Sequence, residues 1–123
     1  MAMLESGEMY LETIHVLSQQ MACVRSIDIV NHMGYSKPSV SRAMGILKND
    51  GYILIAPDGG ITLTDSGKAV AMKIYERHLV LTNLLMSLGV DEQTATDDAC
   101  RIEHYLSDKT FDAIKAHYKK HRE

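Results

Sequence analysis

The sequence predicts a mainly α protein in which a winged helix-turn-helix, with a small β-hairpin as its wing, is followed by a helical region. Two observations predict this fold class. Apolar residues recur at helical spacing through most of the 123 residues, and two short β-branched runs flank a dense cluster of turn residues at 57–60. Three helices are expected before the hairpin and three after it.

The first two helices are expected over residues 8–20 and 26–33. Ser6 suits the N-cap of the first helix, and Gly34 can take the left-handed conformation that ends the second. The second helix is expected to turn four apolar residues inward. They are Ile27, Ile29, Val30 and Met33.

The third helix opens with hydroxyl and basic residues. Ser36 suits its N-cap, Pro38 is tolerated within the first turn, and the helix is expected to end before Gly51. Such residues at a helix N-terminus suit both phosphate and base-edge contacts, so the segment is predicted to read DNA. An ordinary capped helix is the alternative. The DNA-binding candidates are Ser36, Lys37, Pro38, Ser39, Ser41 and Arg42.

The hairpin is expected from strands at 52–56 and 61–64, with the wing turn near the DNA backbone. Three more helices follow. The first is expected to begin after Gly67 and to run to residue 88, closed by Gly89. The second is expected over about 92–107, and the third from 108 or 109 to about 120. The surplus of apolar residues in the first of these three helices favours a dimer.

The fifth predicted helix carries a group of potential metal ligands. Cys100, Glu103 and His104 stand at positions i, i+3 and i+4, so they share one helix face. A thiolate, a carboxylate and an imidazole make a partial coordination shell for a divalent transition metal. The alternative is an amphipathic helix with a buried cysteine, an exposed glutamate and a half-buried histidine.

Composition bounds the class of protein. No apolar run approaches the roughly 20 residues that cross a bilayer, and the first residues lack the pattern of a secretory signal, so we expect a cytoplasmic protein without membrane contact. Cys23 and Cys100 are expected to be reduced thiols. The net charge of −3 argues against nonspecific polyanion binding but permits a locally basic reading surface.

Five motifs span almost the whole chain. They are Glu8-Met9-Tyr10-Leu11, Ser36-Lys37-Pro38-Ser39-Val40-Ser41, Leu63-Thr64-Asp65-Ser66-Gly67, Arg77-His78 and Asp98-Ala99-Cys100-Arg101-Ile102-Glu103-His104. In this order they resemble the diphtheria-toxin-repressor family of metal-dependent transcriptional repressors. The resemblance implies a winged-helix DNA-binding domain over residues 1–70 and a helical metal-binding and dimerisation domain over residues 71–123. It also implies a homodimer that binds double-stranded operator DNA when loaded with metal.

The resemblance further implies the ligands. The family's regulatory metal site maps onto Met9, Cys100, Glu103 and His104. At the positions of Met9 and Cys100 the iron-responsive branch holds a thioether and a thiol, whereas the manganese-responsive branch holds carboxylates. Because manganese prefers oxygen and imidazole ligands, we expect iron(II) in the cell. Manganese(II) is the alternative, and cobalt(II), nickel(II) or zinc(II) are expected to substitute in vitro.

A second metal site departs from the family pattern. The iron branch uses a histidine at His78 with an acid and a histidine at positions that are Thr82 and Thr96 here. Glu12 matches a carboxylate that the manganese branch uses with the residues at His78 and Glu103. A mixed second site of these three residues is one expectation, and hydrogen bonding of Glu12 and His78 across a helix interface is the other. The SH3-like domain of many iron-branch members is expected to be absent.

The resulting expectation is an iron(II)-sensing repressor of metal-homeostasis genes. One rival is a manganese(II)-responsive repressor of the same family. Another is a winged-helix regulator that responds to an organic ligand or to oxidation of Cys100. A structural zinc protein would unfold on chelation. A hydrolytic zinc enzyme is disfavoured because the sequence offers no separate base or nucleophile in a pocket-forming loop, so no enzyme activity is expected.

Overall fold

The computed structural model describes residues 5–121, with side chains from residue 6 onward. These residues form six helices and one antiparallel pair of strands, which confirms the expected mainly α fold with a small hairpin. Among the described helices, none is long and apolar enough to pass through a lipid bilayer. The elements are α1 (Glu5–Ser18), α2 (Ser26–Met33), α3 (Lys37–Asn49), β1 (Ile53–Ile55), β2 (Ile61–Leu63), α4 (Asp65–Ser87), α5 (Glu92–Ile102) and α6 (Asp108–His121).

The chain divides into two compact units. The first ends at Met72 and the second begins at Lys73, so α4 starts in one unit and finishes in the other. In the first unit, apolar side chains of the first three helices, the hairpin and the start of α4 form one core. Its buried residues are Tyr10, Leu11, Ile14, Leu17, Val24, Ile29, Val40, Met44, Leu47, Ile53, Ile61 and Ala71.

Local capping signals set the turn between α2 and α3. Gly34 follows α2 with a φ of 74°, and its N–H donates to the carbonyl of Val30. Ser36 is the N-cap of α3, where its Oγ accepts a hydrogen bond from the backbone N–H of Ser39 at 3.2 Å. Both ends follow the sequence prediction, because each depends on residues adjacent in the chain.

The hairpin is short and is joined to the rest of the first unit. β1 and β2 pair antiparallel, with Ile53 opposite Leu63 and Ile55 opposite Ile61. Val24, which precedes α2, extends the pairing through a bridge to Ile61. Each strand is one or two residues shorter than expected, although backbone hydrogen bonds from Thr64 to Tyr52 and from Ala56 to Gly60 continue just beyond the two ends of the ladder.

A close approach of backbone fixes the connection from the hairpin to α4. Oγ1 of Thr64 donates to the carbonyl of Gly51 at 2.7 Å and accepts from the N–H of Gly67 at 3.1 Å. A Cβ atom at Gly67 would overlap the backbone carbonyl oxygen of Tyr52. Only glycine therefore fits here without movement of the backbone.

Four sequence predictions are wrong in detail. Helix α4 begins at Asp65 rather than after Gly67, because Thr64 already accepts hydrogen bonds from the N–H groups of Gly67 and Lys68. Ser6 is not an N-cap, because α1 begins upstream of it. Ile27 is 44% exposed, because Ile29 and Met33, which are four residues apart, define the inward face of α2. Helix α5 ends at Ile102 rather than at residue 107. The physical reason for that early end is a buried side chain from α4, described below.

Candidate metal centre and nucleic-acid interface

Two helices of the second unit bring four potential ligands together. His78 lies in α4, Cys100 in the last turn of α5, and Glu103 and His104 directly after α5. Nδ1 of His78 lies 2.9 Å from Oε2 of Glu103 and 3.7 Å from Sγ of Cys100. Nε2 of His104 lies 3.3 Å from Oε1 of Glu103. One carboxylate therefore lies between two imidazoles, with a thiol beside one of them.

The burial of these side chains contradicts the alternative of an ordinary amphipathic helix. That alternative predicted a buried cysteine and an exposed glutamate, and it is wrong on both. The Glu103 side chain is 1% exposed, whereas Cys100 is exposed. The side chain of His78 is 19% exposed and that of His104 is 1% exposed. A carboxylate buried this deeply requires hydrogen bonds or positive charge around it, and the two imidazoles are placed to provide them.

The electrostatics of the group favour a positive charge. Hydrogen bonding to Cys100, followed by hydrogen bonding to Glu103, raises the pKa of His78 to about 10, whereas burial opposes the rise. At neutral pH the metal-free group therefore keeps a proton on His78 next to the buried carboxylate. His78 would have to release that proton in order to hold a metal ion through Nδ1.

The donor set fits a divalent transition metal. Ligand atoms of His78, Cys100 and Glu103 all lie within 4.8 Å of one another. A thiolate, an imidazole and a carboxylate are the ligand types that such ions take, and three protein ligands leave positions for others. The residues present therefore fit the cation that the sequence resemblance implies.

The structure groups the candidate ligands differently from the resemblance. The resemblance assigns Cys100 and His78 to separate sites, yet the two side chains are in contact and both lie beside Glu103. Met9 and Glu12 lie half-buried in α1 of the first unit. Their ligand role stays a prediction.

Sequence reasoning missed the role of Arg77. This residue is 4% exposed, and its Nη1 donates to the backbone carbonyls of Glu103 at 3.1 Å and Leu106 at 2.6 Å. Helical spacing held the signal, because Arg77 falls between Ile74 and Leu81 on the buried face of α4. A charged residue at a position of apolar periodicity indicates a buried polar network.

The beginning of α3 presents a polar surface over an apolar base. Val40, Met44 and Leu47 are buried on the inner side of the helix. Each DNA-binding candidate predicted from the sequence is exposed on the outer side, although the hydroxyls of Ser36 and Ser39 also bond to each other at 2.9 Å. The exposed residues are Ser36, Lys37, Pro38, Ser39, Ser41 and Arg42.

The turn of the wing is held by side-chain contacts. Oδ1 of Asp58 accepts a hydrogen bond from the N–H of Gly60 at 2.9 Å, and Nε of Arg25 donates to the backbone carbonyl of Asp58 at 3.2 Å. Arg25 is also the N-cap of α2. The wing turn is thereby tied to the start of the helix-turn-helix.

Comparison with known proteins covers both halves of the chain. The family model described as the iron dependent repressor N-terminal DNA binding domain matches residues 2–61. The model described as the iron dependent repressor metal binding and dimerisation domain matches residues 64–123. The transcriptional regulator MntR of Escherichia coli is 34% identical over 112 residues, which are 91% of this chain and 72% of that protein. The diphtheria toxin repressor of Corynebacterium efficiens is 31% identical over 108 residues, which are 87% of this chain and 47% of that protein.

Solved structures agree with these matches. A manganese-dependent transcriptional repressor in complex with manganese aligns with a TM-score of 0.84 at 27% identity, over 92% of this chain and 52% of that one. The chain spans about half the length of the solved repressors that it matches. Proteins of this family are DNA-binding transcriptional regulators rather than enzymes. Matches to both domains in order show that the chain belongs to the diphtheria toxin repressor and MntR family of metal-dependent transcriptional repressors.

Proposed function

We propose that this chain is a cytoplasmic, iron(II)-sensing repressor that binds operator DNA as a homodimer when it holds metal and controls metal-homeostasis genes. One observation carries the proposal. His78, Cys100 and Glu103 bring three ligand types within 4.8 Å, inside the segment that matches the metal-binding and dimerisation domain of the family. The exposed start of α3, within the segment that matches the DNA-binding domain, supports the reading of operator DNA.

Each residue of the centre has a distinct proposed role. The buried Glu103 provides the negative charge, His78 exchanges its proton for the cation, and the exposed Cys100 provides a soft donor at the surface. His104 is a further imidazole ligand beside Glu103. When bound, the cation supplies the positive charge that the proton on His78 supplies in the metal-free protein. The resemblance alone supports the addition of Met9 to this set of ligands. It is likewise the only support for a second metal site that includes Glu12.

The choice between iron(II) and manganese(II) depends on two opposed observations. A thiolate in the group favours iron(II), since manganese prefers oxygen and imidazole ligands. The solved relatives described as manganese regulators favour manganese(II) as the second candidate. We favour iron(II) because the contact between Cys100 and His78 is a feature of this chain, whereas the manganese descriptions are those of its relatives.

The proposed coupling to DNA acts through the dimer. Two copies of α3 must lie one DNA turn apart, about 34 Å, to enter successive major grooves. Metal binding selects that arrangement of the dimer from among others that the metal-free protein samples. A preference of ~100-fold for the DNA-binding arrangement corresponds to about 2.7 kcal/mol, which is enough to change operator occupancy.

The test is an anaerobic titration of the purified full chain with iron(II) or manganese(II), read by binding to DNA. Fragments enriched from random DNA in the presence of each metal serve as the operator, and unselected DNA of equal length is the control. We expect iron(II) to induce binding at lower free concentration than manganese(II), and a chelator to reverse it while the protein stays folded.

Other outcomes select the rivals. Induction at lower free manganese(II) than iron(II) assigns the chain to the manganese-responsive alternative. DNA binding that does not depend on metal but changes with peroxide or an organic ligand assigns the chain to the metal-independent alternative. Unfolding on chelation assigns the metal to a structural role.

A further inference from the structure

Arg77 contacts the segment that carries Glu103 and His104 while its neighbour His78 contacts the Glu103 side chain. Nη1 of Arg77 donates to the carbonyls of Glu103 and Leu106, and Nη2 donates to Oδ1 of Asp108 at 2.6 Å. Adjacent residues of α4 therefore bind Glu103 at both of its ends. Arg77 holds the backbone carbonyl, and His78 holds the carboxylate.

These contacts account for the early end of α5. The carbonyl groups in the last turn of a helix have no partner within it, and burying them without one is costly. Glu103 is the C-cap of α5 and still has right-handed helical dihedral angles, with φ −59° and ψ −26°. Its carbonyl accepts from Arg77, and the N–H of Thr110 donates to Oγ of Ser107 at 3.1 Å as α6 begins.

The guanidinium group is held from several directions. Its carboxylate partner Asp108 also pairs with Lys73 at 2.8 Å, and the ring of Phe111 lies 5.2 Å below the guanidinium carbon. The planar guanidinium lets Nη1 donate to both carbonyls while Nη2 donates to Asp108, and the single ammonium of a lysine cannot reproduce that geometry. Arg77 thus fixes the position of the chain after Ile102 relative to α4.

We propose that Arg77 is the positioning residue of the metal centre. It sets the register in which Glu103 faces His78 and His104 lies beside Glu103, and it acts through the backbone carbonyls of Glu103 and Leu106 rather than as a ligand. This inference rests on the proposed metal function and adds a residue to it. The hydrogen bonds to the two carbonyls are the contacts that position the segment. The ion pair between Arg77 and Asp108 is not required for this positioning.

The test is a titration of the full chain with cobalt(II) alone, followed by the thiolate-to-cobalt charge-transfer band and the visible bands of the ion. Arg77→Lys is compared with Glu76→Gln, which removes a 2.7 Å ion pair to Lys115 that joins α4 to α6. Thermal unfolding of each metal-free variant is measured in parallel. We expect Arg77→Lys to weaken cobalt affinity by roughly 10- to 100-fold and to alter the spectrum, as changes around ligands do. Glu76→Gln should leave both unchanged.

A second variant separates position from charge and does not depend on the folding of the first. Asp108→Asn removes the carboxylate partner but keeps both carbonyl contacts, so its cobalt spectrum should match that of the wild type. A changed spectrum in Asp108→Asn, or unchanged affinity and spectrum in Arg77→Lys, would overturn the positioning role alone. Absence of cobalt binding by the wild-type chain would overturn the metal centre itself, and this proposal with it.

Discussion

Nδ1 of His78 lies 2.9 Å from Oε2 of Glu103, and the Glu103 side chain is 1% exposed. This pair joins α4 to the residue that directly follows α5. In the metal-free protein it holds a proton, because hydrogen bonding to Cys100 and to Glu103 raises the pKa of His78 to about 10. The same contact that satisfies the buried carboxylate is therefore the place where a proton and a metal ion compete.

Metal affinity should rise with pH because of this competition. His78 is protonated below its pKa of about 10, so a cation that binds at neutral pH must release that proton. We expect binding of manganese(II) to release about one proton from His78 and to strengthen steadily from pH 6 to pH 9. Calorimetry in two buffers of different ionisation enthalpy measures the release. His78→Gln should bind more weakly and release about one proton fewer than the wild-type chain, and equal release in that variant would contradict the assignment.

The sulfur of Cys100 should set metal preference. Cys100→Glu replaces a soft donor by a carboxylate at the same edge of the group, so we expect manganese(II) affinity to rise relative to that of zinc(II). Competition between the two ions at controlled free concentrations measures the ratio. Cys23→Ser is the matched control, since Cys23 is also an exposed thiol but lies outside the group. A ratio that moves equally in both variants would show that Cys100 does not select the metal.

Replacement of two glycines by alanine should change the stability of the protein in opposite directions. Gly67→Ala places a Cβ against the backbone carbonyl of Tyr52, and we expect it to lower the free energy of unfolding by about 1–3 kcal/mol or more. Gly45 lies within α3 with no neighbouring atom within 4 Å of its added Cβ, so Gly45→Ala should raise that free energy by about 0.5–1 kcal/mol. Urea denaturation of the metal-free protein measures both. Destabilisation of the same size at the two positions would refute the close-approach argument.

Arg42 should contribute sequence preference as well as charge. Arg42→Ala is expected to weaken operator binding by about 1–3 kcal/mol and to relax preference at one base position. Lys48→Ala removes the same charge from the last turn of the same helix and serves as the control. Fluorescence anisotropy on selected and unselected DNA measures both variants. If Arg42→Ala weakens the two DNAs equally, Arg42 contacts only phosphate.

Local signals in the sequence predicted much of the first unit. The Gly34 end, the Ser36 cap and the turn at 57–60 depend on neighbouring residues, so they could be found without tertiary information. The end of α5 could not, because the carbonyl of Glu103 is satisfied by Arg77 from another helix. The spacing of Glu103 and His104 from Cys100 remained informative only because helical dihedral angles persist at Glu103 after the helix ends.

The candidate site was predictable in its ligand types but not in its burial. A spacing of i, i+3 and i+4 places side chains on one face, yet it does not say which of them the neighbouring helix covers. Glu103 is buried in contact with Arg77 and His78 of α4, whereas Cys100 is exposed. The proximity of His78 to Cys100 likewise depends on how α4 and α5 pack, which no local pattern records.

The central claim is that Cys100 in the last turn of α5, with Glu103 and His104 directly after it, holds the metal that governs DNA binding. Its most direct test is the ratio of operator affinities with and without metal in a variant that combines Cys100→Ser, Glu103→Gln and His104→Gln. The wild-type chain should show a gain of roughly 5- to 150-fold on metal addition. A control with His117→Gln and His121→Gln, whose rings pack 4.2 Å apart in α6, should show the same gain. We predict a gain below about twofold in the triple variant while it stays folded, which is no appreciable coupling. A wild-type gain in the triple variant would contradict the account.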